Sequence, residues 1–298
     1  MDNTDLFAAA LQLEYPWKVS KVEFIPEEED SKVMELHSTI AFEHDARFIF
    51  YNEDGSLWTD ADGNPIETTA HDTVERTWRY LNFFQYKTFL HAKMPKVSDG
   101  QGHCPTVKAP WARKNSGFTL LFEAWVIEFA KHLPVSVIAK LVEVRDKRLW
   151  RFIKHYVDAA KDLEDYSDVE NIGMDETSKK GHAYITVMVD LDDRKVLYTT
   201  EGKDHTTVDK FVTDFKEHNG DPENIKLVTC DMSLGFRKGI KDNFPNSKTI
   251  IDKFHVIKHA NEAVDKVRKE EDKVNESLKG TKYLWLKNDA NLTDKQAA

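Results

Sequence analysis

The stretch that decides the fold is NIGMDETSKKGHAYITVMVDLDDRKVLY, residues 171–198. It begins with a short apolar run, Ile172 to Met174, which predicts a strand and leads into Asp175. The segment HAYITVMVDL at 182–191 is rich in β-branched and aromatic residues and predicts a second strand. After an Asp-Asp turn, KVLYTTEG at 195–202 predicts its hairpin partner. The pattern therefore predicts three consecutive strands, with an aspartate just past the end of the first.

A second strand that leads into an aspartate follows this hairpin. Apolar residues at helical spacing predict a helix over 205–219, and IKLVTC at 225–230 predicts a buried strand that ends at Asp231. A helix over 234–244 and a last strand, KTIIDKFHV at 248–256, complete the series. Three strands, a helix, a strand, a helix and a strand is the order of a ribonuclease H-like core, in which the first and fourth strands are neighbours.

Asp175 and Asp231 are the candidate metal ligands and catalytic residues. Two carboxylates at neighbouring strand ends repel each other unless a divalent cation lies between them, and such oxygen ligands suit Mg²⁺ or Mn²⁺. The corresponding chemistry is metal-assisted phosphoryl transfer. The alternative is structural: Asp231 could cap the following helix, and Asp175 could begin a turn. The lysines of that turn, Lys179 and Lys180, could contact a phosphate or be ordinary surface residues.

A helix-turn-helix is predicted in the middle of the chain. Apolar residues three and four positions apart over 118–133 mark one face of a first helix. Pro134 precedes a short second helix, residues 142–145 form the turn, and Asp146 is placed to cap a third helix through Val157. The apolar face of the first helix consists of Phe118, Leu121, Phe122, Trp125, Phe129 and Leu133.

The third helix carries basic residues away from its core face. Lys147, Arg151 and Lys154 are spaced i, i+4 and i+7, as in a recognition helix that contacts double-stranded DNA. Arg145 and Arg148 join them as candidate DNA-binding residues, because arginine and lysine contact both phosphates and guanine. The alternative is a small helical bundle with a solvated charged face. The residues predicted to face the core are Leu149, Ile153 and Tyr156.

Six stretches of the chain, in one order, resemble the DDE transposases of bacterial insertion sequences, of the type written ISL-three. They lie at 75–97, 110–157 (from PWARKNSGF), 172–198, 228–236 (VTCDMSLGF), 251–271 (from IDKFHVIKHAN) and 280–288 (GTKYLWLKN). The resemblance implies transposition with two metal ions, Mg²⁺ or Mn²⁺, on double-stranded DNA that comprises the element's terminal inverted repeats and a target. It also implies an Asp-Asp-Glu triad, whose first two positions match Asp175 and Asp231.

The third position of that triad is expected downstream of the WLKN segment, whereas the sequence stops at Ala298. The expectation is a truncated chain with an incomplete active site, inactive alone, and the alternative is a non-catalytic DNA-binding remnant or regulator. Asp252 and His255 match a family motif and are candidates for the cleft, or equally polar residues at a strand end. The glutamates that match no catalytic position, and are expected on a solvated helix face, are Glu262, Glu270, Glu271 and Glu276.

The N-terminal region has a different character from the rest. Its first 75 residues hold 18 acidic and 4 basic side chains, which argues against a general DNA-binding surface. Apolar runs predict strands at 18–25, 32–42 and 47–58. The family commonly has a zinc finger here, but the chain has no CxxC pair, so no zinc is expected. The residues that fail to supply four ligands at finger spacing are Cys104, His103, His71 and His91.

The composition limits the classes of protein to which the chain could belong. The chain of 298 residues is 40% hydrophobic and 32% charged, with two cysteines far apart, which favours a multidomain α/β protein of the cytoplasm without a disulfide framework. No apolar stretch is long enough for a membrane span, and no signal peptide is predicted. A homo-oligomer is left open. The predicted domains are a β-rich module at 1–108, the helix-turn-helix at 112–160, and the incomplete ribonuclease H-like core at 168–298.

Overall fold

A computed structural model describes residues 3–28, 32–49, 51, 55–98, 104–178, 181 and 183–297. The chain divides into two compact units, Met1–Ala159 and Ala160–Ala298. The first unit therefore holds both the β-rich module and the helix-turn-helix, and the second holds the mixed sheet with its helices.

The β-rich module is built on a four-stranded sheet of order β1-β2-β6-β5. Strands β2 and β6 are parallel, and the other pairs are antiparallel. Inward-facing residues of the two central strands, such as Ile40, Leu90 and Met94, are buried in one cluster with Trp78 and Trp111. The elements of the module are α1 (Asn3–Ala10), β1 (Trp17–Pro26), β2 (Met34–Phe42), β3 (Arg47–Ile49), β4 (Glu67–Thr69), β5 (Asp72–Phe83) and β6 (Tyr86–Lys96).

Sequence patterns predicted only part of this module. The strands expected at 18–25 and 32–42 are present, whereas the run at 47–58 forms a strand only over Arg47–Ile49 among the residues described. Strands β5 and β6, the longest in the chain, were not predicted. Because β5 buries only Trp78 and Arg79 of its twelve residues, its sequence shows little apolar alternation.

The helix-turn-helix consists of α2 (Leu120–Ala130), α3 (Val135–Leu141) and α4 (Asp146–Lys161). The side chain of Thr119 accepts a hydrogen bond from Phe122 N and caps α2, and Glu143 in the turn has a φ of 53°. Leu149 and Ile153 are buried, and Tyr156 packs against the same core, as predicted. Leu121 is 51% exposed, so its assignment to the apolar face was wrong.

The second unit contains a five-stranded mixed sheet of order β11-β10-β7-β8-β9. Strands β7, β8 and β9 form two antiparallel pairs, while β10 runs parallel to both β7 and β11. Helices α5 and α6 pack on one face, where Phe211, Phe215 and Phe236 are fully buried. The elements are β7 (Asn171–Ser178), β8 (Tyr184–Asp190), β9 (Lys195–Glu201), α5 (His205–Glu217), β10 (Leu227–Cys230), α6 (Leu234–Asn243) and β11 (Lys248–Ile251).

Two boundaries differ from the sequence prediction. Strand β7 continues past Asp175 to Ser178, because its hairpin partner β8 pairs with it up to Tyr184. Strand β11 ends at Ile251, since the side chain of Asp252 accepts a hydrogen bond from Phe254 N (2.9 Å) and begins a helix there. His255 therefore lies in the first turn of that helix and not on a strand.

Three helices complete the unit: α7 (Lys253–Glu271), α8 (Lys282–Leu286) and α9 (Asp294–Ala297). Glu262, Glu270 and Glu271 lie on α7 as expected, whereas Glu276 begins a separate short 3₁₀ turn. Within the described residues, no helix is both long and apolar enough to cross a membrane.

Candidate functional site

Three aspartates lie side by side on neighbouring parallel strands, at or just after the ends of their paired segments. Thr229 of β10 pairs with Gly173 of β7, so the same register carried two residues further places Asp231 opposite Asp175. Cys230 pairs with Ile251 of β11, and the next residues along are Asp231 and Asp252. Neighbouring strands lie about 4.8 Å apart, so the row brings the three carboxylates to one edge of the sheet.

Asp175 lies within β7 and not past its end, which corrects the sequence prediction. Its side chain is 73% exposed, and its Oδ1 accepts a hydrogen bond from Glu176 N (2.8 Å). Asp231 follows directly after β10 as predicted, and its Oδ1 accepts a hydrogen bond from Ser233 N (2.8 Å). Each carboxylate is thus oriented by a backbone amide and keeps its second oxygen for another partner.

The candidate cleft residues Asp252 and His255 lie beside this pair. His255 Nε2 is 4.0 Å from Asp175 Oδ1 and 4.0 Å from Asp252 Oδ2. These distances exceed hydrogen-bond range, so the interaction is electrostatic and depends on protonation of the imidazole. Asp252 also lines the open cleft of about 610 Å³ that contains Asp175 and Asp231.

Glu176 is the residue that the sequence analysis missed. Its Oε2 atom is buried and has no hydrogen-bond partner among the described residues. Burial raises the pKa of Glu176 above its ordinary value, and the negative charge of Asp231 adds to that rise. A hydrogen bond between Glu176 and Asp231 can form only when one of them is protonated. The Asp-Glu dipeptide that follows the apolar run Ile172 to Met174 was the available signal.

Two small residues form the floor of the cleft. A Cβ atom on Gly173 would lie 2.9 Å from both Val189 Cγ2 and Leu191 Cδ2, so only glycine leaves this space open. Cys230 is buried in the core, and burial raises the pKa of its thiol to about 11. Without a bound metal, its sulfur is therefore a neutral thiol near pH 7.

The fit of these residues to a divalent cation can be tested from their surroundings. Repelling carboxylates and the orphaned Glu176 Oε2 are features that a hard cation would relieve. Among the described residues, however, no three His, Cys, Asp or Glu side chains are placed to hold a metal together. The site thus fits a cation held by two carboxylates, with most of its shell open to water. Lys179 and Lys180 lie outside the described residues.

The predicted DNA-binding side chains all lie exposed on or beside α4, but they differ in their partners. Lys154 Nζ forms an ion pair with Asp158 (2.7 Å), and the Arg148 guanidinium lies 4.7 Å from the Phe118 ring centroid. No ion pair of Arg145, Lys147 or Arg151 occurs in the part of the chain that the structure describes. Lys147 and Arg151 are therefore the helix residues free to meet a phosphate.

A buried charge network holds the helix-turn-helix together. Glu123 of α2 is fully buried and accepts hydrogen bonds from Arg113 Nε (2.7 Å) and Arg113 Nη2 (2.9 Å). Ser116 Oγ (2.6 Å) and Tyr156 OH (2.8 Å) donate to the same carboxylate. Because both Glu123 oxygens are satisfied, the network fixes α2, α4 and the preceding loop relative to one another.

The predicted loss of a zinc finger stays a prediction. Cys104 is exposed, and His103 lies outside the described residues. His91 lies on β6, where its Nε2 is 2.7 Å from His37 Nδ1, so its nearest partner is another histidine.

Family comparisons match both units. A family model described as "Helix-turn-helix domain of transposase family ISL3" matches residues 107–157. A second model of the same family, described as "Transposase", matches residues 172–298. Together the two matches span more than half of the chain.

Curated relatives agree with these matches. The chain is 28% identical over 197 residues to the "Transposase for insertion sequence element IS1557" of Mycobacterium tuberculosis, which covers 65% of this chain and 44% of that protein. It is 27% identical over 238 residues to the "Transposase for insertion sequence element IS1001" of Bordetella parapertussis, which covers 76% of this chain and 58% of that protein. The chain therefore spans about half the length of the curated relatives it matches.

Proposed function

The chain belongs to the ISL3 family of insertion-sequence transposases, and from that premise we propose that it acts on the DNA ends of an insertion sequence. In this proposal α4 docks on the terminal inverted repeats. The second unit is a ribonuclease H-like core that hydrolyses phosphodiester bonds and joins the freed 3′ hydroxyl to a target. The reaction takes place in the cytoplasm, where bacterial DNA lies.

The alignment of Asp175 and Asp231 on neighbouring parallel strands is the observation that carries this proposal. These two carboxylates would hold Mg²⁺ or Mn²⁺, in a two-metal reaction when the site is complete. A bound cation would stabilise charge on the phosphoryl oxygens and activate water as the nucleophile. The Glu176 and Ser233 amides fix the orientation of the carboxylates before substrate arrives.

We propose further that these 298 residues do not cut DNA by themselves. Among the described residues, no third carboxylate is placed with Asp175 and Asp231 so that the three could hold a metal together. Glu262 pairs with His259 (3.4 Å) on α7 and lines a different pocket from the aspartates. A cation held by only two carboxylates leaves reacting groups poorly placed, and misplacement can cost about 10²-fold per ångström.

The test is a cleavage assay on DNA that carries the terminal repeats of the element. The chain alone is compared with the same chain joined to the C-terminal segment of a family member, in Mg²⁺ and in Mn²⁺. We expect cutting only by the extended chain, and its loss in Asp231→Ala. Equal cutting by the short chain, abolished by Asp231→Ala, would show that a carboxylate already present completes the site.

A non-catalytic DNA-binding remnant or regulator is the second candidate function. The complete Glu123 network favours it, because the helix-turn-helix does not depend on the acidic site for its own structure. In this case Asp231→Ala binds the terminal repeats as tightly as the unaltered chain and still competes with a full-length transposase for them. A loss of binding in Asp231→Ala would exclude this function.

DNA binding itself is tested through salt dependence. Changing Lys147 and Arg151 to Gln removes up to two phosphate contacts, so the slope of log K against log salt should fall by about 0.9 for each contact. Lys154→Gln should have a smaller effect because Asp158 already pairs with that lysine. Lys131→Gln, whose lysine pairs with Glu128 at the end of α2, is the matched control. Identical slopes for all four proteins would remove α4 from the DNA interface.

A further inference from the structure

A second group of cations lies away from α4, in a cleft of the first unit. The cleft has a volume of about 340 Å³ and lies between β5, the end of β6 and the segment 105–116. Its floor is apolar and includes Trp78 and Met94. Four cationic side chains line it, and within the described residues no aspartate or glutamate does. The cations are Arg76, Lys108, Arg113 and Lys114.

The cationic side chains of this cleft differ in their ion pairing from other basic residues of the same module. In the acidic N-terminal module, several lysines outside the cleft are paired, among them Lys18 with Glu43 (3.0 Å) and Lys96 with Asp72 (3.3 Å). No ion pair of Arg76, Lys108 or Lys114 is found in the part of the chain that the structure describes. Positive side chains that stay unpaired in a region rich in carboxylates, and share one cleft, produce a local field that favours an anion.

Several contacts hold the side chains and the wall of the cleft in position. Lys108 Nζ lies 4.6 Å from the Tyr51 ring centroid, which positions its charge. Arg113 is the exception among the four, because its guanidinium is committed to the buried Glu123. That commitment anchors the wall of the cleft to α2. The backbone of Arg79 on β5 adds two hydrogen bonds, from its own N to Gly117 O (2.9 Å) and from Thr119 N to its O (3.1 Å).

We propose that this cleft binds the phosphodiester backbone of duplex DNA, as a second contact beside the one made by α4. Its wall continues directly into the helix-turn-helix, because Arg113 and Ser116 hydrogen-bond Glu123 of α2, so both contacts belong to one compact unit. Lysine and arginine side chains that contact only the backbone phosphates, and not the edges of the bases, bind DNA independently of its sequence. This assignment rests on the proposed function, which supplies the DNA. It also assigns a DNA-facing role to one part of an otherwise acidic module.

The test compares three variants of the full chain on a short duplex of arbitrary sequence, titrated across salt. The cleft variant carries Arg76→Gln, Lys108→Gln and Lys114→Gln. The matched control carries Lys18→Gln, Lys21→Gln and Lys93→Gln, which remove the same charge from paired lysines of the same module. The third variant carries Lys147→Gln and Arg151→Gln. All substituted side chains are exposed, so all three variants should fold like the unaltered chain.

We expect the salt slope of the cleft variant to fall by about 2 to 3, at about 0.9 for each phosphate that the variant no longer neutralises, and that of the control by less than about 1. Lysine acetylation read by mass spectrometry should show DNA protection of Lys108 and Lys114 but not of Lys18. Equal slopes for cleft and control variants, without this protection, would overturn the inference. The proposed function would still stand if the α4 variant binds more weakly. Absence of DNA binding by the unaltered chain would overturn both.

The cleft could instead bind a free phosphate compound, because such a compound carries the same anionic groups as the DNA backbone. Calorimetric titration with inorganic pyrophosphate distinguishes these two ligands. We expect no saturable binding, because separated phosphates along a backbone match separated cations better than one compact anion does. Saturable pyrophosphate binding that the cleft variant loses, with its DNA affinity unchanged, would assign the cleft to a free phosphate compound and overturn the DNA assignment.

Discussion

Two glutamates with buried carboxylate oxygens, one in each unit, have opposite surroundings. Glu123 in the helix-turn-helix accepts hydrogen bonds from Arg113, Ser116 and Tyr156, so its charge is fully compensated by the protein. Glu176 in the acidic cleft has an oxygen without a partner among the described residues and lies beside two more carboxylates, Asp175 and Asp231.

The difference teaches how to separate structural from functional charge in this chain. A buried charge with every lone pair satisfied is complete without any ligand, and it rigidifies the surrounding helices. A partly buried carboxylate that faces like charges raises the free energy of the folded chain until a cation or a proton arrives. The first arrangement indicates a structural role for the charge, and the second indicates a site that binds a ligand.

Removal of the charge on Glu123 should have the largest effect. Glu123→Gln leaves Arg113 beside a neutral group in a desolvated network, so we expect the free energy of unfolding to fall by about 3–5 kcal/mol. Urea unfolding of the full chain measures this. Glu128→Gln, which neutralises an exposed glutamate of the same helix, should leave the free energy of unfolding nearly unchanged. A loss of similar size in both variants would mean that the network is not structural.

Saturation with Mn²⁺ should have the next largest effect, and it should act only through the acidic cleft. A ligand at about 100 times its Kd stabilises the folded state by about 2.7 kcal/mol. We expect thermal stabilisation of the unaltered chain, together with a calorimetric binding signal, and neither in Asp175→Asn. Asp192→Asn, in the exposed turn after β8, is the control that should keep both. Undiminished Mn²⁺ binding in Asp175→Asn would place the cation elsewhere.

The pH dependence of Glu176 should give the smallest effect. Because its pKa is raised in the folded state, its contribution is fully present below its unfolded pKa and is lost as pH rises through the folded value. In the absence of metal, the free energy of unfolding should therefore fall as the pH rises from the unfolded to the folded pKa of Glu176. This fall should be absent in Glu176→Gln. Glu217→Gln on the exposed face of α5 should retain it. An unchanged decline in Glu176→Gln would show that the two glutamates are less different than their contacts indicate.

Periodicity and strand composition predicted much of this molecule. The three helices of the helix-turn-helix and the strand that leads into Asp231 each carry a strong local pattern, and the structure contains them. Strand β5 could not be predicted in this way, because its mostly exposed residues remove the alternation that would identify it. Its place in the sheet comes from pairing with β6, which is a tertiary effect.

Two errors at the candidate site have local physical causes. The apolar residues after Ile251 were taken as more strand, although the Asp252 side chain caps a helix there and carries His255 into its first turn. A cap followed by apolar residues at helical spacing, Phe254 and Ile257, could have identified it. Glu176 was missed because its role depends on burial and on the charge of Asp231, neither of which a single sequence displays.

The strand order of the second unit also has a consequence for folding. Strands β7, β8 and β9 are only a few residues apart in sequence and can pair early. Strands β7 and β10, in contrast, are parallel and are connected through β8, β9 and α5. Closing that long connection carries an entropic cost that must be met before the parallel pair can form. Asp175 and Asp231 therefore come together only once the connection from β7 to β10 has closed, and a chain in which it is open keeps these two like charges apart.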